Sequence, residues 1–514
     1  MVGKKAQVFF CCLIIIIVAF YSYWYGRIDL PRVDQVIYME ERGFFLNNWD
    51  WFWHSIFFSR TRLTFRGDYY LFRPAHMFFL VIQDIFFRND LEVTGALSIL
   101  MFAIVACLLF ITLDKMVNRL LAFSVSLVFV SQSVAVEIVL WRHITPYILS
   151  FGCLLVAFLF LQILKTKKKY IFFSIFLFLA MGFHEYIVLS TVFILIIIFI
   201  SWLIGDYFSI SRISKRKYVI YALFASLIFY LIPNLVDVWM HPPPSLLGPY
   251  NTIPKNFLLI GIQNSFTFLV GSLRAALFSW SLSPNEPMTL WPFTNNLKII
   301  SLSTVVTFVI IIKVLQKINR KNSLDLFSIL AIFCVISLGC LTVSLAVGRG
   351  VLRGMEYLQN ATKYYYAITT AFWLYLLVFI MKDYFCNIFF VRKNKYLFSL
   401  LISYLILMIY LQIDQINTYI QKNYPIKEAC NVQKGITLIN KYYSENTNRC
   451  FHGDFLYDMN VRPITVDEPH RLTRLFPLYL WKYQCSVEQD YKIPTAIKID
   501  KKDNLYFVDE SKMK

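Results

Sequence analysis

Apolar stretches of about twenty residues alternate with short, cation-rich connections from the first residues to Ile413. That length is what an α-helix needs to cross ~30 Å of hydrocarbon. Spans are predicted at residues 7–25, 91–113, 119–136, 145–165, 168–183, 186–205, 217–235, 297–313, 323–347, 363–381 and 396–413. The stretch at 168–183 is short and relies on flanking lysines reaching the interface. Two more apolar stretches, 74–88 and 256–280, break the alternation. Both are expected to lie in the membrane interface or to dip part-way in. The predicted class is an all-α polytopic membrane protein with about eleven to thirteen transmembrane helices.

Composition agrees. The 514 residues are 58% hydrophobic and only 16% charged, whereas soluble domains average ~45–50% apolar and ~25% charged residues. The net charge of +19 invites a nucleic-acid reading, but location decides against it. Six short segments at the ends of apolar stretches (1–6, 114–119, 165–169, 206–217, 313–321 and 382–395) hold twenty Lys and Arg against Asp114, Asp206 and Asp383. Cations are retained on the cytoplasmic side during insertion, so these connections mark the cytoplasm. The amino end is then cytoplasmic. No small-residue cleavage site follows the first apolar run, which ends in an aromatic belt at Tyr21, Tyr23, Trp24 and Tyr25, so an uncleaved span is expected.

This orientation puts a long first loop (26–90), a second long loop (236–296), a basic turn (348–362) and the tail outside. Residues 1–413 form the membrane domain, and 414–514 read as a small α/β or mixed domain resting on it. Of ten cysteines, Cys430, Cys450 and Cys485 fall in the tail, where one disulfide and one free thiol are expected with the pairing open.

The external edges collect the ionisable residues, and a charge near hydrocarbon is costly enough to mark a site. Asp34 sits just outside the first span at headgroup depth, where a carboxylate could deprotonate a hydroxyl within reach; the alternative is a solvated loop carboxylate. Arg73 precedes Pro74 and could hold an anion or simply snorkel. Glu137 and Trp141 lie four apart on one helical face, followed by Arg142 and His143. Arginine suits a lipid-linked phosphate, because its planar fork binds two oxygens at once. A salt-bridged helix turn is the plainer reading.

His184 and Glu185 are wedged between two apolar stretches; without HExxH spacing they carry no metal expectation. Glu185 is instead expected to bind an acceptor or to organise a lipid phosphate. Arg349 and Arg353 lie among Gly348, Gly350 and Gly354, with Lys363 before three tyrosines. Such glycines let backbone approach a ligand closely, which favours phosphate binding over a solvated turn. No nucleotide-binding or dinucleotide fingerprint is present, and no cofactor is expected.

The order of these features resembles the GT-C superfamily of integral-membrane glycosyltransferases, which use polyprenyl-phosphate sugars. The resemblance covers roughly residues 1–210, with a weaker echo at 348–366. In size, external tail and composition the chain is similar to serotype-converting O-antigen glucosyltransferases. The resemblance implies an inner-membrane enzyme that moves a sugar, glucose by the narrower likeness, from a polyprenyl-phosphate donor to O-antigen or a related cell-surface glycan. Transfer would be inverting and on the periplasmic face. It implies Asp34 as base, with Arg142, His143, Arg349, Arg353 and Lys363 on the donor phosphate. Glu137, Trp141, His184, Glu185 and Arg73 would bind the acceptor or support the site. Relatives often carry Asp-Asp where Asp34-Gln35 stands here, and Lys-Glu in place of His184-Glu185. A glycan polymerase or ligase and a lipid-linked-sugar flippase are the competing readings.

Overall fold

The computed structural model describes residues 2–28, 73–87, 90–142, 144–204, 217–240, 256–278, 297–320, 325–346, 363–387, 395–423, 426–450, 493–499 and 505–509. The apolar runs become helices α1 (Val2–Tyr23), α2 (Pro74–Phe87), α3 (Leu91–Asp114), α4 (Arg119–Val130), α5 (Val136–Leu140), α6 (Pro146–Ile163), α7 (Lys168–Phe183), α8 (Tyr186–Ile204) and α9 (Lys217–Met240). They are followed by α10 (Phe257–Phe278), α11 (Leu297–Arg320), α12 (Leu326–Leu345), α13 (Lys363–Asn387), α14 (Lys395–Asn423) and α15 (Ile426–Glu445).

Local chemistry sets the starts. Asp90, Asn118 and Asp325 accept hydrogen bonds from Val93, Leu121 and Ser328 N–H, closing donors that a new helix leaves open. Pro74 and Pro146 each occupy a first helical position, where the missing N–H costs nothing. Among the described residues six helices are long and apolar enough to cross a membrane, or seven if a bent pair counts as one span. The protein is an all-α, multi-pass membrane protein. Phe9, Ile17, Phe199 and Phe229 stay exposed, which suits a surface solvated by lipid chains.

The two ends of the bundle differ. At one end Arg119 pairs with Asp114 and donates to Gln7, and Lys317 donates to the Phe379 carbonyl. These belong to the basic connections. At the other end Arg27 pairs with Glu92, Arg142 donates to the Leu91 carbonyl and Arg73 meets Glu185. On α3 the Asp114 end thus meets a basic connection, and the Leu91 end meets Arg27 and Arg142.

One span prediction needs correcting. The span at 119–136 is not continuous: α4 stops at Val130, a 3-10 turn covers Ser133–Ala135, and α5 leaves at 51°. Bent backbone survives at membrane depth only where protein covers it, and residues 130–136 are buried here. The Gln132 carbonyl accepts from the Ala135 N–H at 3.1 Å and from the Tyr23 hydroxyl at 2.8 Å. The stretch at 256–280, expected to be interfacial or to dip part-way in, becomes α10. It packs along α13, with Phe268 stacked on Tyr366 and the Trp373 indole donating to Ser272 at 2.8 Å, and residues Phe257–Ala276 are apolar enough to cross. The last predicted span, 396–413, lies on a longer helix: α14 continues to Asn423 with Ile416, Tyr419 and Ile420 buried on one face.

Among the described residues the tail holds α15 and three strands, β1 (Arg449–Cys450), β2 (Ile493–Ile499) and β3 (Leu505–Asp509), and no further α/β unit. β2 lies between the others, parallel to β1 and antiparallel to β3. Cys450 is disulfide-bonded and Cys430 is free.

Candidate functional site

Asp34, His143, Arg349 and Arg353 lie outside the described residues, and Lys363 is placed as the first residue of α13. The other predicted site residues fall into two clusters, both at the end opposite the basic connections.

The first cluster is built by a close approach. A Cβ at Gly182, near the end of α7, would stand 2.9 Å from the Ala75 Cβ and 3.1 Å from the Ala75 nitrogen. Only glycine lets α2 begin so close to α7. Arg73, one residue before α2, then faces the turn between α7 and α8. There His184 is extended (φ −160°, ψ 135°) and Glu185 follows. Arg73 grips Glu185 with both edges of its fork, Nε to Oε2 at 2.7 Å and Nη2 to Oε1 at 2.6 Å. Its Nη1 donates to the Tyr147 hydroxyl at 2.6 Å, and the guanidinium lies 4.7 Å from that ring's centroid.

Aromatic rings close around this pair. His184 meets Tyr147 edge-on at 4.8 Å and Tyr365 at 5.6 Å, His76 meets Tyr147 at 5.3 Å, and Tyr365 stacks on Tyr147 at 6.2 Å. The Arg73 side chain is only 6% exposed, whereas Glu185 keeps 40% of its surface open. The pair thus turns its carboxylate outward and its cation inward.

That carboxylate is fixed in its charged form. Burial works against the charge, but the Arg73 guanidinium, the neighbouring His184 and the Arg73 hydrogen bonds outweigh it and hold Glu185 well below the usual carboxylate range. Arg73 has the same two influences with opposite outcome: burial opposes its charge, and Glu185 raises its pKa further above the arginine range. A carboxylate so acidic is a poor proton acceptor. Glu185 suits accepting hydrogen bonds from hydroxyls, and it does not suit the role of general base.

The second cluster ties α1, α3, α5, α14 and α15 together. The Trp141 backbone N–H donates to the Glu137 backbone carbonyl at 2.8 Å, the ordinary bond that closes the end of α5. The Glu137 carboxylate accepts from the Tyr419 hydroxyl at 3.0 Å. Arg142 is 5% exposed, and its Nη2 donates to the Leu91 carbonyl at 2.7 Å. The Leu91 N–H donates to Gln433 of α15 at 2.7 Å. Arg27 pairs with Glu92 at 2.7 Å and covers the Trp24 ring at 3.9 Å. Arg27 is the penultimate described residue before the loop that carries Asp34.

Tyr147, Arg27, Glu92, Tyr419 and Gln433 were not singled out by sequence. Tyr147 was findable, since it follows Pro146 at the same rim as Arg142. Among the described residues no group of three or more His, Cys, Asp or Glu is placed to hold a metal. No protein-family model, curated protein or solved structure matches the chain.

Proposed function

We propose that the chain is a GT-C-like glycosyltransferase of the inner membrane, with eleven to thirteen spans, a cytoplasmic amino end and a periplasmic tail. It moves a sugar, glucose in this reading, from a polyprenyl-phosphate donor to O-antigen or a related cell-surface glycan, with inversion. Asp34 is the base. Arg142, His143, Arg349, Arg353 and Lys363 neutralise the leaving phosphate where charge develops. The observation that carries this reading is the gathering of Arg27, Arg73, Glu92, Glu137, Arg142, His184 and Glu185 at the bundle end opposite the basic connections. A lipid-linked donor keeps its chains in hydrocarbon and its phosphate at the surface, so its transferase needs polar groups at that depth.

The permanent charge on Glu185 also supports the assignment. It disfavours Glu185 as a base, and it leaves Arg73, Glu185 and His184 as supports of the site. The Cys450 disulfide favours an external tail, because disulfides persist in oxidising compartments. A membrane-impermeant maleimide added to spheroplasts is therefore expected to label Cys430. Labelling only after lysis would reverse the sidedness.

The direct test is Asp34→Asn, read by glycan mass and linkage in cells and by transfer from a polyprenyl-phosphate sugar in detergent. Transfer should stop while expression and melting temperature stay unchanged. Full activity in that variant would end the proposal. The break between α4 and α5 favours a second reading, a lipid-linked-sugar transporter, since such proteins use interrupted helices. A transporter would move donor across proteoliposomes without acceptor and would be indifferent to Asp34→Asn.

A further inference from the structure

The break at Ser131 and Gln132 holds a contradiction. Twelve residues of α4 rise about 18 Å, so the break lies past the middle of a ~30 Å hydrocarbon core. The Gln132 side chain is 0% exposed, and neither its amide nitrogen nor its amide oxygen has a hydrogen-bond partner. A fully covered side chain touches no water-sized space. An amide sealed in this way is disfavoured, yet three other interactions hold the bend: Tyr23 on the Gln132 carbonyl, Ser131 on Gln412 at 2.8 Å, and Tyr419 on Glu137 at 3.0 Å.

We infer that residues 131–132 form a hinge. The outer half of this span, α5 with Arg142 just beyond it, exchanges between the tethered position and an open one in which the Gln132 amide finds a polar partner. Hinges are commonly a few residues at the ends of elements, which absorb the backbone change. Gln132 is such a residue, with extended backbone (φ −68°, ψ 130°) between two helical pieces. The tethers favour the closed arrangement and the stranded amide opposes it. Because the outer half carries Glu137 and Arg142, its motion would open and close the second cluster. The hinge requires no assumption about the reaction.

The test is hydrogen exchange of the full chain in nanodiscs, comparing residues 130–136 with the adjoining α4 residues 120–129. The 130–136 segment should exchange faster than its neighbour. Gln132→Leu removes the stranded amide and should slow exchange there about tenfold, while Tyr23→Phe removes a tether and should speed it about tenfold. Gln132→Met serves the same purpose should the leucine variant misfold. Opposite shifts in the two variants support the hinge, whether or not any glycosyl transfer is found. Unchanged exchange in both, or faster exchange and a lower melting temperature in Gln132→Leu, would mean a fixed kink with a satisfied amide and overturns it.

Discussion

Exchanging Arg73 for lysine should damage the protein almost as much as exchanging it for alanine, although the charge survives. Lysine cannot present two parallel N–H groups, and Arg73 uses Nε and Nη2 on the two Glu185 oxygens while Nη1 holds Tyr147. A charge-assisted bidentate pair stabilises by ~1.5–3 kcal/mol, and the partial exposure of Glu185 pulls this toward about 2 kcal/mol. Arg73→Ala, Glu185→Gln and the double variant should therefore show a coupling of about 1–2 kcal/mol in thermal or denaturant unfolding. Independent, additive losses would show that the pair contributes nothing.

The same pair fixes a pH dependence. The Glu185 pKa is lowered in the folded protein, so its stabilising contribution is complete above the unfolded value of ~4.3 and fades as pH falls through the lower folded value. The melting-temperature gap between wild type and Arg73→Ala should hold constant from about pH 5 to 8 and narrow below about pH 4. A gap that narrows on the alkaline side would mean that another group controls it.

This pair also marks the limit of what the sequence discloses. Helix positions are legible because hydropathy is local: the run 91–113 needs no partner to be recognised, and neither does the short helix at 74–87. Arg73 and Glu185 are each visible as ionisable residues at a rim, but they stand 112 residues apart and nothing local pairs them. What joins them is Gly182, whose missing side chain lets α2 begin against α7, and a lone glycine near a helix end has no distinctive sequence signal.

The break at Ser131–Gln132 is hidden for a related reason. Ser-Gln-Ser inside an apolar run barely lowers its mean hydropathy, and the compensating partners, Tyr23 and Gln412, come from distant helices. The continuation of α14 was nearer to hand. Ile416, Tyr419 and Ile420 recur at helical spacing, but mean hydropathy averages their stripe with Asp414, Gln415 and Asn417. Amphipathic periodicity would have found it. Helix positions thus follow from local hydropathy, whereas the pairing of polar groups follows from packing.

Gly95→Ala should be the most destabilising glycine-to-alanine exchange among the described glycines. Its new Cβ would fall on the Arg27 carbonyl, well inside contact with the oxygen and 2.7 Å from the carbon. The obstacle is backbone, so no side chain can rotate away. Overpacking commonly costs ~1–3 kcal/mol, and an immovable neighbour puts this case at about 3 kcal/mol. The end of α1 must shift, and with it the Arg27–Glu92 pair, since Glu92 lies one turn before Gly95 on α3. Gly26, packed closely against Leu140 and Ile420, moves as well, which carries the strain to α5 and α14. In the proposed enzyme this is the exit toward Asp34, so transfer should fall together with the melting temperature. Gly339→Ala is the control: nothing stands within 4 Å of its Cβ position on α12, and alanine favours helix. That variant should melt at or above the wild-type temperature. Equal behaviour of the two glycine variants would mean that α1 and α3 do not approach as closely as their packing at Gly95 requires.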